Sequence, residues 1–346
     1  MTAIPLRSLR VGPVALRLRP RVLVSCLALA VLVLAALTAC LIVGDYSIPL
    51  RRIPAALFGS GERLDVFFVR DVRLPRALTA ALVGAALGTA GAVFQSLSRN
   101  PLGSPDIIGF TAGASTGAVL TILVVGGGML STALGAMLGG VGTAVLVYLL
   151  ALRRGVQGYR LILVGIGISA MLGAVTHYLI TRAELTDALS AQVWLVGTLN
   201  SREWPHVAAV GIGCAVLIPF LLRLGAQLRL MEMGEDTARA LGVATQRTQT
   251  LALLAASALT GIAIAVSGPI AFVALAAPQL ARRLTRADGT TLVASALMGA
   301  ALLLCSDLVA LRLLAPVQLP VGVVTTVVGG TYLVWLLYAE WRSGRA

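Results

Sequence analysis

The chain has 346 residues, 58% of them hydrophobic and only 12% charged, with a formal net charge of +13 and a mean hydropathy of +0.94. A water-soluble domain of this length carries more polar surface than that, so the composition indicates an integral membrane protein. The positive charge is all arginine, with no lysine in the chain. It falls in short loops between apolar runs rather than on polar helices interleaved with aromatics, which argues against a nucleic-acid partner.

Crossing about 30 Å of hydrocarbon takes about 20 apolar helical residues. Runs near that length lie at 22–43, 77–97, 107–125, 129–152, 160–181, 205–223, 248–266, 269–286, 291–311 and 321–340. The reading is an all-α integral membrane protein of about ten transmembrane helices. A basic N-terminus (1–21) precedes a single membrane domain (22–340), and a short tail (341–346) follows it. The first run follows basic residues, as a secretory signal does, and Leu37–Cys40 imitates a lipoprotein cleavage box. The apolar run continues to Val43, long enough to span, so it is read as a retained first helix.

With both termini on the cytoplasmic side, most of the 27 arginines lie inside, among them Arg7 to Arg21, Arg153, Arg154, Arg160, Arg282, Arg283 and Arg286. The exception is the 44–76 loop, whose six arginines fall outside. Residues 185–204 are too few and too polar to cross, and are expected to form a partial helix on the outer face.

Small residues recur four apart at Gly84/Gly88, Gly109/Gly113/Gly117 and Gly135/Gly139, a spacing that lets membrane helices approach closely. Sliding the chain by 177 residues places Ala81, Leu82, Gly84, Ala86, Gly91 and Pro101 on Ala258, Leu259, Gly261, Ala263, Gly268 and Pro278. The two spans so related run in opposite directions, as in an inverted repeat.

Residues 231–243, MEMGEDTARALGV, interrupt the apolar pattern in the longest inner loop (224–247). Glu235 and Asp236 stand where a helix dipole favours anions. Glu235 and Arg239 are four apart in the favourable order, Ala238 and Leu241 share a face, and Gly242 is a terminating residue. So short a helix needs a packing surface to persist, which a soluble partner would supply; a helix lying on the bilayer is the other reading.

A phosphate-cradling GxxxxGK[ST] loop needs a lysine this chain lacks, so ATP is not hydrolysed here by that route. Proton coupling needs intramembrane ionisable groups, for which only His177 and Asp307 qualify, and a bond from Asp307 to a neighbouring helix is the favoured role. The cysteines (Cys26, Cys40, Cys214, Cys305) and the two histidines lack metal-ligand spacing. Neither a metal site nor a catalytic constellation is expected.

Five stretches together resemble one family, the permease subunits of iron-siderophore ABC importers (the FecCD type), which include the cobalamin importer. They are VRLPRALTAALVGAALGTAGAVFQ (72–95), RNPLGSPDIIGFTAGASTGA (99–118), MGEDTARALGV (233–243), SGPIAFVALAAPQLARRL (267–284) and QLPVGVVTTVVGG (318–330). The resemblance implies a BtuC-like permease fold with an inverted internal repeat. It also implies a second permease around a shared pathway, two ABC ATPase subunits that bind ATP and magnesium, and an extracytoplasmic substrate-binding protein. No cofactor is expected on this chain.

In the family the GE-x-x-A-x-x-LG loop is the coupling helix received by the ATPase. Gly234, Glu235, Asp236, Ala238, Leu241 and Gly242 match it, and Arg239 lies within it. The RLPR arginines, here Arg73 and Arg76, and an arginine before the last span, here Arg312, are implied to pair with acidic residues of the binding protein. An inner gate is implied at Asn100 and Leu102 with Gly158 and Tyr159. Two departures are Gln279, where many members have histidine, and Gln318, where many have glutamate. Gln318 with MGEDTARALGV and GGTYL most resembles the second permease of ferric-enterobactin-type systems, so a heterodimer is expected, with self-pairing open. The expected function is inner-membrane import of a ferric siderophore of catecholate type. Cobalamin or haem import stays open as an alternative, and beyond it a proton-coupled transporter.

Overall fold

A computed structural model describes residues 7–11, 14–18, 20–44, 46–126, 128–151, 158–287, 289–315 and 317–342. A short antiparallel ribbon, β1 (Arg7–Val11) and β2 (Val14–Leu18), pairs Arg7 with Leu18 and Val11 with Val14. The remaining regular elements among the described residues are helices. The first half contains α1 (Pro20–Ile42), the short helices α2 (Ile53–Leu57) and α3 (Arg63–Val66), then α4 (Leu74–Ser98), α5 (Phe110–Val125), α6 (Met129–Ala151) and α7 (Gly158–Arg182). After α8 (Leu185–Val196), the expected partial helix, come α9 (Trp204–Glu232), α10 (Glu235–Ala240), α11 (Thr245–Ser267), α12 (Val273–Thr285), α13 (Leu292–Arg312) and α14 (Val321–Arg342).

Seven helical stretches among the described residues are long and apolar enough to cross a membrane, and α5 and Val321–Leu336 are shorter apolar helices. With α12 they make the ten expected elements. Three boundaries differ from the hydropathy reading, each for a physical reason. At α12 the predicted run 269–286 becomes a helix of 13 residues, about 20 Å long at 1.5 Å per residue. Gly268 and Phe272, both at positive φ, break the backbone ahead of it. At α9 the helix runs nine residues past the predicted end at 223 because LGAQLRLME keeps helix propensity after hydropathy falls. Before α4, a π-helical turn at Phe67–Arg73 joins α3 to α4, so helical backbone runs from Arg63 to Ser98.

The halves repeat. Five long elements precede α8 and five follow it, and the third of each, α5 and α12, is short. Helix α4 packs on α13 and α12, while α11, its counterpart under the 177-residue slide, packs on α6 and α5. An odd number of spans per half sets the two halves antiparallel in the membrane, the architecture of an inverted repeat.

Helix α4 is the buried axis, with 78% of its apolar window inside the molecule. Glycines let its neighbours reach it. A Cβ at Gly84 would collide with the Gly299 carbonyl and one at Gly88 with the Ser295 carbonyl, while Gly91 abuts the Ala274 backbone. Gly113 and Gly117 of α5 meet Gly139 and Gly135 of α6 in the same manner. In lipid there is no hydrophobic drive between helices, so this close van der Waals contact is what holds the bundle.

Helix α8 is tied to the second half at its C-terminal end. Gly197 leaves it at φ 77°, its carbonyl accepts the Gly322 N–H (3.1 Å), and Thr198 N–H donates to the Ser267 carbonyl (2.8 Å). A Cβ at Gly322 would strike the Val196 carbonyl, so α14 can start there only with glycine.

Candidate functional site

At one end of the bundle, α1, α4 and α13 enclose a cavity of about 400 Å³ lined by Cys40, Tyr46, Phe68, Arg76, Leu311 and Gln318, among others. The last carbonyls of α1 have no partner within their own helix. Arg73 supplies one: its guanidinium donates to the carbonyls of Leu41 (2.8 Å), Ile42 (3.1 Å) and Tyr46. Arg73 is 8% exposed, and these bonds make it a cap on the end of α1.

Arg76 reaches across to α13. Its Nε donates to Asp307 Oδ2 (2.9 Å) and its second terminal nitrogen to Oδ1 (2.8 Å). The remaining terminal nitrogen meets Gln318 Oε1 at 3.2 Å. The Asp307 carboxylate is thus an acceptor for a neighbouring helix, the role favoured from sequence. Arg312 is exposed and donates to the Gly44 carbonyl (2.7 Å) at the cavity rim. Outside the bundle, the Tyr46 phenol is pushed above its ordinary range, chiefly by its hydrogen bond to the Asp65 carboxylate.

At the other end, α4 stops at Arg99, which takes left-handed φ 49°. Asn100 then folds its side chain over the turn, Oδ1 accepting the Leu102 N–H at 2.9 Å. Leu102 is 41% exposed, whereas Ser104 is buried. The loop is held from outside by Gln279 of α12, whose Nε2 donates to the Pro101 carbonyl (2.6 Å). Arg282 donates to Gln95 Oε1 (2.7 Å), and Gln95 Nε2 to the Leu275 carbonyl (3.0 Å). Helix α7 opens at Gly158 and packs on the Pro105–Ile108 turn. Of the two residues matched to the gate from sequence, Gly158 starts this helix, and the side chain of Tyr159 lies outside the described residues, as do Arg153 and Arg154.

Helix α10 is bounded by Gly234 (φ 122°) and Gly242 (φ 82°). Arg239 meets Glu235 (3.0 Å) and Asp236 (3.3 Å) and donates through Nε to Thr245 Oγ1 (3.1 Å), which ties the turn to the start of α11. Ala238 is buried against the body. Leu241, expected on the same face, is 59% exposed, and Met233 is 70% exposed. Leu241 has already left the helix, which ends at Ala240, so helical spacing no longer governs its direction. An open groove of about 760 Å³ lies alongside, lined by Arg239, Thr245, Arg247 and Thr250.

Residues 30–339 match the FecCD transport family. The chain belongs to this family. It is 44% identical over 330 residues to the ferric enterobactin transport system permease protein FepG of Escherichia coli K12, covering 93% of this chain and 98% of that one. It is 38% identical over 326 residues to the probable siderophore transport system permease protein YfhA of Bacillus subtilis 168, covering 90% and 95%. A solved structure described as an inward-facing conformation of a metal-chelate type ABC transporter superposes with TM-score 0.83 at 29% identity, covering 93% of this chain and all of that one. As a FecCD chain with many apolar helices, it is a multi-pass membrane permease.

The FecCD fold thus gathers residues far apart in sequence. Asp307 and Gln318 join Arg76, Gln279 joins the loop at Pro101, and Arg282 joins Gln95. Sequence reasoning found Arg76 and Asp307 without pairing them, and it assigned no role to Gln279 or Gln95. The available signal was three polar side chains, at 95, 279 and 282, within otherwise apolar helices. Among the described residues no group of histidine, cysteine and carboxylate side chains is placed to hold a metal ion.

Proposed function

We propose that this chain is the permease subunit of an ABC importer that carries a ferric siderophore of the catecholate class across the cytoplasmic membrane. The observation that carries the reading is the near end-to-end identity of 44% with a ferric enterobactin permease. It forms one half of the pathway, the other half being a homologous second permease, and both termini lie on the cytoplasmic side. A pair of ATPase subunits binds ATP and magnesium, and an external binding protein delivers the ligand. No covalent step falls to this chain.

Helix α10 is the mechanical input. Its buried Ala238 and its bond to Thr245 fix it to the body, while Met233, Leu241 and the acidic first turn face outward. A protruding turn with apolar tips and a mixed-charge face fits a cleft on a protein better than a lipid surface. Closure of the ATPase dimer would push through this turn into α9 and α11, which flank it.

Outside, Arg312 and the accessible edge of Arg76 offer positive charge to acidic side chains of the binding protein. Exposed pairs of this kind set register and association rate more than affinity. The loop of Asn100 and Leu102 narrows the inner end of the pathway.

The test is uptake by the reconstituted importer, made with its own ATPase, second permease and binding protein. Ferric enterobactin is expected to accumulate in an ATP-dependent manner, ahead of ferric hydroxamates, cobalamin and haem. Uptake that persists without ATP would refute the ABC mechanism, and a preference for another ligand would refute the catecholate assignment.

A further inference from the structure

Gln95 lies near the end of α4 and is only 2% exposed. A primary amide offers two donor hydrogens and one acceptor oxygen, and both kinds of group are used on α12. Its Nε2 donates to the Leu275 carbonyl (3.0 Å), and its Oε1 accepts from Arg282 (2.7 Å). Between those two contacts Gln279, also buried, donates to the Pro101 carbonyl (2.6 Å). Positions 275, 279 and 282 follow four- and three-residue spacing, so they form a single stripe of α12 facing the end of α4. Just above, Gly91 abuts the Ala274 backbone so closely that no Cβ fits. The contact is continuous from backbone packing to side-chain bonds.

We infer that Gln279 is the positioning residue of the inner loop 99–104. Its amide donor, on a helix tied to α4 by the Gln95–Arg282 pair, fastens that loop to α12, so that loop and helix move as one body. This rests on the gate reading given above for its functional meaning, but not for its geometry. The contact is part-buried, with a buried amide as donor, and it is the side-chain hydrogen bond from α12 to this loop, so the donor, rather than the shape of residue 279, is what holds the loop. The broken backbone at Phe272 (φ 68°) sets the outer limit of the moving unit, because α12 begins immediately after it.

The experiment uses the assembled importer in nanodiscs, with Ser104→Cys as reporter and modification read at that residue by peptide mass. Ser104 is 4% exposed, so a thiol there reacts with a charged maleimide only when the loop leaves its packed position, which loosening of the Gln279–Pro101 bond allows. Gln279→Glu keeps the shape, removes the donor and sets a carboxylate against a carbonyl. Gln279→Met removes the donor without adding charge, and Gln279→His keeps an N–H. Loss of the donor is expected to speed modification of the reporter thiol about tenfold or more in the Glu and Met variants. The His variant is expected to stay close to the parent, and ATP-driven uptake of ferric enterobactin should fall and recover in the same order. Equal rates in parent, Glu and Met variants would overturn the inference, as would a His variant as reactive as the Glu variant. A Leu102→Cys reporter with Gln279 intact separates the two readings. If vanadate trapping of the ATPase leaves its reactivity unchanged, the gate reading fails, while the fastening of the loop is judged on the Ser104→Cys reporter alone.

Discussion

Arg76 on α4 and Asp307 on α13 meet through two parallel N–H···O bonds, 2.9 and 2.8 Å, although 231 residues separate them in the chain. Both side chains are largely buried, 13% and 1% exposed. The pair sits at one end of the seam where Gly84 and Gly88 bring the same two helices into backbone contact. Close packing sets the distance between the helices, and the ion pair fixes how far one slides along the other.

Removing one member should therefore cost far more than removing both. A buried charge without its partner is typically destabilising by about 3–5 kcal/mol, whereas replacing a whole pair by apolar groups is often neutral. Arg76→Leu and Asp307→Leu are each expected to lower the melting temperature of the purified permease clearly, and the double variant to recover most of the loss. A double variant as unstable as the sum of the singles would show that the two residues are not coupled. The pairing also disfavours a proton-carrying role for Asp307, since its carboxylate already serves as a structural acceptor.

Two arginines with the same expected role should separate experimentally. Arg73→Ala strips the cap from the last turn of α1, and lost bonds from a charged donor are worth about 1.5–3 kcal/mol. It should lower thermal stability. Arg312 is exposed, so Arg312→Ala should leave the melting temperature within the small range usual for surface changes. It should instead slow association of the binding protein and flatten the dependence of that rate on salt. Biosensor kinetics on the importer in nanodiscs, beside a melting curve, reads both effects. Reversal of the two phenotypes would refute the assignment.

How far the sequence reaches is visible in these same residues. The spans were legible because a continuous apolar run is a property of neighbours in the chain, and α1, α6 and α13 lie within a few residues of the predicted bounds. The close-packing glycines were legible for the same reason, since their four-residue spacing is local. The cap that Arg73 makes on α1 was not, because its partners are backbone carbonyls about thirty residues away, which no motif spells out. The late start of α12 was hidden too, since Gly268-Pro269 marks a turn but the apolar residues 270–272 read as helix, and only the backbone at Phe272 shows otherwise. Gln279 remained silent because its partner, the Pro101 carbonyl, belongs to the backbone of a loop 178 residues away.

The glycines offer a contrast within one residue type. Gly88 faces the Ser295 carbonyl with no room for a Cβ, whereas Gly142 has nothing within 4 Å. Gly88→Ala should push α4 from α13 at a cost of about 1–3 kcal/mol, the usual range for overpacking. Gly142→Ala should be neutral or stabilise by up to about 1 kcal/mol through helix propensity. Melting temperatures in one detergent decide between them, and equal effects would mean that the α4–α13 seam is looser than the structure has it.

Helix α10 gives the prediction on which the transport mechanism turns. Its Glu235–Arg239 pair is half exposed, so Glu235→Ala should cost at most about 1 kcal/mol and leave the permease folded. Leu241 contributes little to the fold for the same reason, being 59% exposed. In the combined Glu235→Ala/Leu241→Asp variant, melting should stay near that of the parent. Uptake should be lost, and the ATPase should either dissociate or hydrolyse ATP without transport. A buried-face change such as Ala238→Arg should instead fail at the level of the permease itself, because that side chain has no exposed surface. Normal coupled uptake in the Glu235/Leu241 double variant would place the contact with the ATPase elsewhere on the molecule. A stable Ala238→Arg permease would show that α10 is not seated on the body as its buried face requires.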